Sequence, residues 1–355
     1  MFIFRMRVLT LTILCIFNLG ATSPMMSGTA VEKYIQKKLK RNDKTLRINE
    51  KNLGDSGLAA LAQSPLVRSV ETLVLYKVQI SDEGVRALAE SPNLKNLQAL
   101  YLEHNLITDK GVEIISNSET FSNLKILNLY HNQITDAGAK AIAESDNLTQ
   151  LKELNLNYNL VKGPGAIELT RSNKLLQLKN IQLAYNPIEK SGKQAWKRFQ
   201  LMEWFKDLHR NNKLNQVGEA LIGDFGVMVL LDFPFVSELE TLDLKNNDLT
   251  DEAVIALSQS KRLKGLVSLN LSQNNITDAG AQALGGSHNL EGLKELNLNF
   301  NRIGDDGARA IAESPRLANL ESLKLGQNKI GSEGARALNE SENLQNLIHP
   351  IFGFY

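Results

Sequence analysis

Residues able to perform chemistry are few in this chain of 355 residues, which has one Cys and five His. A single Cys excludes an internal disulfide framework and a zinc site built of thiolates. His104 and His131 could lie about 5 Å apart on neighbouring strands, but no carboxylate or nucleophile accompanies them at a useful spacing. Glu103, Glu153 and Glu295 are too widely spaced to form an acid–base pair. We therefore predict no catalytic residue, no metal site and no cofactor, and a protein that is not an enzyme.

The composition favours a scaffold. The chain has 58 Leu and 35 Asn; Leu predicts a large core, whereas Asn forms helices and strands poorly and needs a specific role. Lys and Arg number 40 against 39 Asp and Glu, a net charge of +1. A nucleic-acid partner is not expected from this balance.

An internal repeat organises most of the chain. The pattern L-x-x-L-x-L-x-x-N-x-I returns every 27 residues, and two earlier copies have Lys51 and Val78 in place of Asn. A degenerate copy around Ala220 brings the total to eleven. The L-x-L alternation predicts a short strand with one buried face, and the Asn side chain is expected to bond backbone groups of the adjacent turn. The eight residues of this structural ladder are Asn105, Asn132, Asn159, Asn186, Asn247, Asn274, Asn301 and Asn328.

A helix should follow each strand. The motif I-T-D-x-G-A-x-A-I-A-E-S begins at Ile134, where Thr135 or Asp136 is an N-cap candidate. Gly occupies the position of Gly138 in ten of the eleven copies. We interpret it as a close approach of the helix start to the neighbouring copy, too tight for a Cβ.

These motifs resemble the leucine-rich repeat, in its ribonuclease-inhibitor-like subtype, over residues 43 to about 347. The resemblance implies an α/β solenoid, an arc with a concave parallel sheet and convex helices. We expect a capping helix within 23–42, about eleven repeats over 43–347 with a copy at 186–219 that is seven residues longer, and an apolar tail at 348–355.

The amino terminus has the pattern of a signal peptide at 1–22. Arg5 and Arg7 precede a ten-residue apolar run, and small residues follow it at 20–23. The run is too short to span a bilayer, and a buried helix is the alternative interpretation. We expect export to the periplasm, cell surface or medium, with no membrane span after cleavage; the alternative is a cytoplasmic location, including a host cytoplasm.

The concave face is the predicted binding surface. Side chains four, two and one residues before each ladder position should point away from the core, and five of the seven Tyr fall there. Tyr is favoured at protein interfaces, although Tyr also simply suits half-exposed strand positions. The predicted partner-binding residues are Tyr76, Tyr101, His104, Tyr130, His131, Tyr158, Tyr185 and Phe300.

The longer copy holds Trp196, Phe199 and Trp204. These rings belong either to a helix that buries them against its neighbours or to a protruding amphipathic helix that docks a partner.

The sequence thus predicts a monomeric, non-enzymatic scaffold that binds a protein partner of unknown identity. Near-identical tandem copies with a short signal look like the bacterial members of the family, some of which are surface or host-directed virulence proteins. Because the Ran GTPase-activating proteins are similar to this repeat type, regulation of a GTPase is the alternative function.

Overall fold

The computed structural model describes residues 25–49 and 51–348, which form two compact units that divide between Gly192 and Lys193. The proposed signal peptide and the tail beyond Ile348 lie outside the described residues. The elements of the first unit are α1 (Gly28–Leu39), β1 (Thr45–Asn49), α2 (Gly54–Gln63), β2 (Thr72–Tyr76), α3 (Asp82–Ala89), β3 (Ala99–Tyr101), α4 (Asp109–Asn117), β4 (Ile126–Asn128), α5 (Asp136–Ala143), β5 (Glu153–Asn155), α6 (Gly163–Arg171) and β6 (Asn180–Gln182).

Helix α7 (Lys190–Arg210) begins just before the division of the chain. The elements that follow it are α8 (Gly223–Leu231), β7 (Thr241–Asp243), α9 (Asp251–Gln259), β8 (Ser268–Asn270), α10 (Asp278–Gly285), β9 (Glu295–Asn297), α11 (Asp305–Ala312), β10 (Ser322–Lys324) and α12 (Ser332–Asn339). No helix in the described ranges is both long and apolar enough to cross a membrane.

Each unit contains one parallel sheet whose strands follow chain order, six strands in the first unit and four in the second. Neighbouring strands pair with a shift of 27 residues, so that Leu100 lies beside Leu127 and Leu127 beside Leu154. These central leucines are buried, while the residues on either side of them are more exposed. A helix follows each of these strands. The predicted α/β fold class, with a parallel sheet whose strands alternate with helices, is confirmed in each unit.

The degenerate copy supplies no strand to either sheet. In the degenerate copy the first two leucines of the motif are replaced by Asn212 and Asn215, and both side chains are exposed. A buried amide without hydrogen-bond partners costs free energy, so this segment cannot supply a strand of the same kind. Its residues Leu214–Val217 form a 3₁₀ turn, and the described residues contain ten strands in two sheets.

The ladder asparagines join each copy to the one before it. The Oδ1 atom of Asn132 accepts the Ile107 N–H at 3.1 Å, and its Nδ2 donates to the Leu102 carbonyl at 3.0 Å and to the Leu129 carbonyl at 3.1 Å. All eight asparagines bond an N–H and a carbonyl of the preceding copy in this way. Six of the eight are buried, where water does not compete for these bonds.

A second ladder, of aspartates, lies at the helix starts. Asp109 begins α4, and its Oδ1 accepts the N–H groups of Thr135 at 2.7 Å and Gly138 at 2.9 Å in the next copy. Thr135 in turn caps α5 by accepting the Ala137 N–H. A Cβ on Gly138 would lie 2.6 Å from that Oδ1 atom. In seven of the ten copies, Gly138 among them, the recurring glycine is thus confirmed as a position of close approach to the preceding copy, whose Asp is the group that it approaches.

Two helices differ from the regular repeat helices, one before the first strand and one at the longer copy. Helix α1 buries Val31 and Ile35, and α7 buries Phe205 and Leu208 in the core of the second unit. At 21 residues α7 is far longer than the helices of 8 to 10 residues that follow most strands, consistent with the seven extra residues of its copy.

Substitution of Gly138 by Ala should lower the free energy of unfolding by about 1–3 kcal/mol, because the added methyl displaces Asp109 from its two N–H donors. Urea denaturation measures the change. Gly265→Ala is the matched control, since its Cβ would meet nothing nearer than the Ser237 carbonyl oxygen at 3.9 Å. Equal midpoints for the two variants would contradict the close-approach account.

Candidate binding surface

The backbone turns sharply at the residue before each ladder asparagine. His104, His131, Tyr158 and Tyr185 occupy this position, and each has a positive φ between 55° and 59°. Such left-handed backbone is uncommon outside glycine, and it must be held by surrounding bonds. The adjacent asparagine supplies them, as in Asn132, whose Nδ2 also donates to the Tyr130 carbonyl at 3.3 Å. The turn directs four aromatic rings to the uncovered side of the six-stranded sheet.

The rings form one continuous row. Tyr158 and Tyr185 stack with centroids 4.1 Å apart, and His104 and His131 stack at 4.4 Å. Tyr76 meets His104 edge-on at 5.2 Å, and Tyr130 lies 5.1 Å from both His104 and Tyr158. We call this set of six residues the aromatic ridge: Tyr76, His104, Tyr130, His131, Tyr158 and Tyr185.

Exposure increases along the ridge. Tyr76, His104 and Tyr130 are half-buried, whereas Tyr158 is 39% exposed and Tyr185 is 71% exposed. Packed aromatic rings lose little conformational entropy when a partner covers them, because their neighbours already fix them. The exposed end around Tyr158 and Tyr185 is therefore the part best suited to contact another protein.

The histidine pair carries an electrostatic constraint. Burial lowers the pKa of His104, and the nearby His131 and Lys77 lower it further because they disfavour a second positive charge. His104 is consequently neutral over a wider range of pH than an ordinary histidine, and it contributes an uncharged ring to the middle of the ridge.

Tyr101 lies apart from the ridge, on β3 beside an acidic side chain. Glu103 accepts a hydrogen bond from Asn128 Nδ2 at 2.8 Å, and its other carboxylate oxygen is buried with no hydrogen-bond partner among the described residues. Burial raises the pKa of Glu103, against smaller opposing effects of a backbone hydrogen bond and of Arg47. Burial also raises the pKa of Tyr101, as do Glu153 and Glu103. The sequence spacing gave Glu103 no role in acid–base chemistry, and its hydrogen bond could not be predicted because Asn128 belongs to another copy.

Two of the predicted groups are not members of the ridge. Phe300 lies in the second unit, is 52% exposed and has no aromatic neighbour among the described rings. Trp204 packs against the core of the second unit, and its ring centroid lies 5.1 Å from that of the buried Phe205. The protruding-helix interpretation therefore fails for Trp204; Trp196 and Phe199, earlier on α7, are half-buried. Within 25–49 and 51–348, no three His, Cys, Asp or Glu side chains come together as metal ligands.

Comparison with known proteins supports the repeat assignment. The leucine-rich repeat family model matches residues 93–116, 122–143, 238–258, 266–285, 293–312 and 316–338. No curated protein matches the chain.

Solved structures similar to the chain include two internalins of Listeria monocytogenes. Internalin F is 19% identical, covering 92% of this chain and 97% of that one, with a TM-score of 0.27. Internalin C2 is 18% identical, covering 83% and 82%, with a TM-score of 0.24. A leucine-rich-repeat protein of Leptospira interrogans is 17% identical, covering 81% and 79%, with a TM-score of 0.29.

Replacing His131 by Asn should raise the pKa of His104 towards 6.5, its ordinary value, because the substitution removes a neighbouring positive charge and part of the cover over the ring. An NMR titration of the histidine ring protons measures the change. Lys174→Gln, which removes a charge that is not among those acting on His104, serves as the control. A His104 pKa that is already ordinary in the wild type would refute the assigned environment.

Proposed function

We propose that this leucine-rich-repeat protein is a non-enzymatic scaffold that binds a protein partner through its aromatic ridge. Repeat solenoids present extended surfaces of this kind to their partners. The observation that carries the proposal is the continuous contact of six aromatic rings across five neighbouring copies, with its outer end open to solvent.

The chemistry of the ridge favours a protein over a small ligand. The rings lie in an open row on a sheet face, whereas a small molecule usually needs a concave pocket that covers most of its surface. Tyr rings offer a large apolar area with a hydroxyl at the edge, a combination enriched where proteins bind each other. The partner should therefore present an apolar patch with hydrogen-bonding groups at its rim, and the scaffold should act as a monomer.

The ribonuclease-inhibitor-like subtype and an exported location belong to the same proposal. Export rests on the composition of residues 1–22, with two arginines before an apolar run and small residues after it. A bacterial surface or host-directed role would place the ridge where a foreign protein can reach it.

Removal of the outer rings should weaken partner binding strongly. Tyr158→Ala combined with Tyr185→Ala deletes the stacked pair, and the loss expected for residues that dominate an interface is about 2 kcal/mol or more, roughly thirtyfold in Kd. The partner is captured from extracts on the immobilised full chain and identified by mass spectrometry. Its affinity for each variant is then measured by surface plasmon resonance.

Leu176→Ala is the control for that experiment, since Leu176 is an apolar side chain 80% exposed that does not belong to the ridge. Equal binding by the double variant and the control would reject the ridge as the binding site. If the captured partner is a small GTPase whose hydrolysis of GTP accelerates on binding, the GTPase-regulating alternative replaces a purely structural scaffold.

The proposed export predicts where the mature chain begins. Protein recovered outside the cytoplasm of an expressing bacterium should begin near residue 22 or 23, because a signal peptidase removes the segment before the small residues. Amino-terminal sequencing of fractionated cells measures this. A chain that keeps Met1 and stays in the cytosol would show that the amino-terminal segment is not a signal.

A further inference from the structure

The degenerate copy leaves a cleft in the second unit. A cavity of about 460 Å³ opens between the Leu214–Val217 turn and the first strand of the four-stranded sheet, β7. Its apolar lining includes Leu230, Leu239 and Leu242, and its polar lining includes Asn212 and Asn215. The cleft is distinct from the aromatic ridge, since none of its lining residues belongs to the first unit.

The cleft lies where two leucine side chains are missing. One step of 27 residues before Leu239 and Leu242, the chain has Asn212 and Asn215, and both are exposed. Val217, at the third position of the motif, is still buried. Leu239 is only half-buried as a result, although its counterparts in seven other copies, such as Leu97 and Leu266, are buried. The unfilled volume therefore corresponds to the first two leucines of an L-x-x-L segment.

The backbone edge beside the cleft is also unpaired. Elsewhere in both sheets, two successive N–H groups at the start of a strand donate to one carbonyl of the preceding copy, as Val267 and Ser268 do to Glu240. Their counterparts in β7 are Glu240 and Thr241, and the carbonyl that would accept from them, that of Lys213, receives neither in the described structure. Because Leu242 pairs with β8, the alternate residues of β7 direct their N–H and C=O groups into the cleft.

We propose that this cleft binds an extended peptide segment of a partner protein with the pattern L-x-x-L, which adds to β7 as a parallel strand. The two leucines fill the positions left by Asn212 and Asn215, and the peptide backbone pairs with the free edge of Thr241 and Asp243. Main-chain bonds supply affinity in such strand addition, and the pockets for alternate side chains supply specificity.

The probe is the acetylated and amidated peptide QLKELN, the sequence of residues 150–155, which contains β5 and its leading L-x-x-L. A fluorescent derivative should bind the full chain saturably in an anisotropy titration. The peptide QNKENN carries asparagine at both leucine positions and should bind at least about tenfold more weakly, since it buries no leucine. Absence of saturable binding by QLKELN, or equal binding of the two peptides, overturns the proposal.

Backbone pairing is tested with the protein unchanged. In the strand register, the N–H of the second peptide leucine faces β7, whereas the N–H of the preceding glutamate faces away. N-methylation of that leucine should weaken binding about tenfold, and N-methylation of the glutamate should leave it nearly unchanged. Equal effects of the two modifications rule out strand addition.

Substitutions that fill the cleft with the protein's own side chains test the same site. The variant Asn212→Leu with Asn215→Leu restores the motif, so we expect loss of probe binding together with a higher unfolding midpoint. Undiminished probe binding by a folded variant contradicts the assignment of the site. Dimers of the wild type that disappear in this variant and exclude the probe would show that a second copy of the chain, not a partner peptide, occupies the cleft.

Discussion

Hydrogen bonds from buried side chains to the backbone of the preceding copy are the interaction on which the rest of the structure depends. An unpaired polar group in a protein interior is costly, so an asparagine such as Asn132 is stable only if the preceding copy lies one step of 27 residues away. The aspartate ladder requires the same 27-residue step at the helix starts, where Asp109 accepts the N–H groups of Thr135 and Gly138 in the next copy. In copies that have both residues, the alignment with the neighbouring copies is therefore fixed after the strand and at the start of the helix.

The ridge follows from that register. The left-handed residue before each asparagine directs a side chain outward, and an exact step of 27 residues sets successive rings at stacking distance. Strands themselves depend more on the leucines than on the asparagine. The first copies have Lys51 and Val78 at the ladder position and still form β1 and β2, whereas the copy with Asn212 and Asn215 in its core positions forms no strand.

The sequence predicted the fold well because its signals are local and repeated. Period and apolar pattern located the strands, the ladder asparagines and the close-approach glycine at Gly138, and they placed the ridge residues on one face. They could not show that Tyr101 makes no ring contact with the ridge, since ring contacts depend on backbone angles and side-chain rotamers. The aspartate ladder was hidden because Asp is common at helix starts for reasons within one copy. The cleft could not be predicted, because a degenerate motif does not show whether other side chains fill the volume of its missing leucines.

Protection of the ridge in a complex tests the central claim most directly. Hydroxyl-radical footprinting of the full chain, with and without its captured partner, reports the exposure of individual rings by mass spectrometry. The ridge account predicts slower modification of Tyr158 and Tyr185 in the complex, with Tyr34 on α1 unchanged. Unchanged modification of both ridge tyrosines, with protection confined to residues of the helices, would contradict it.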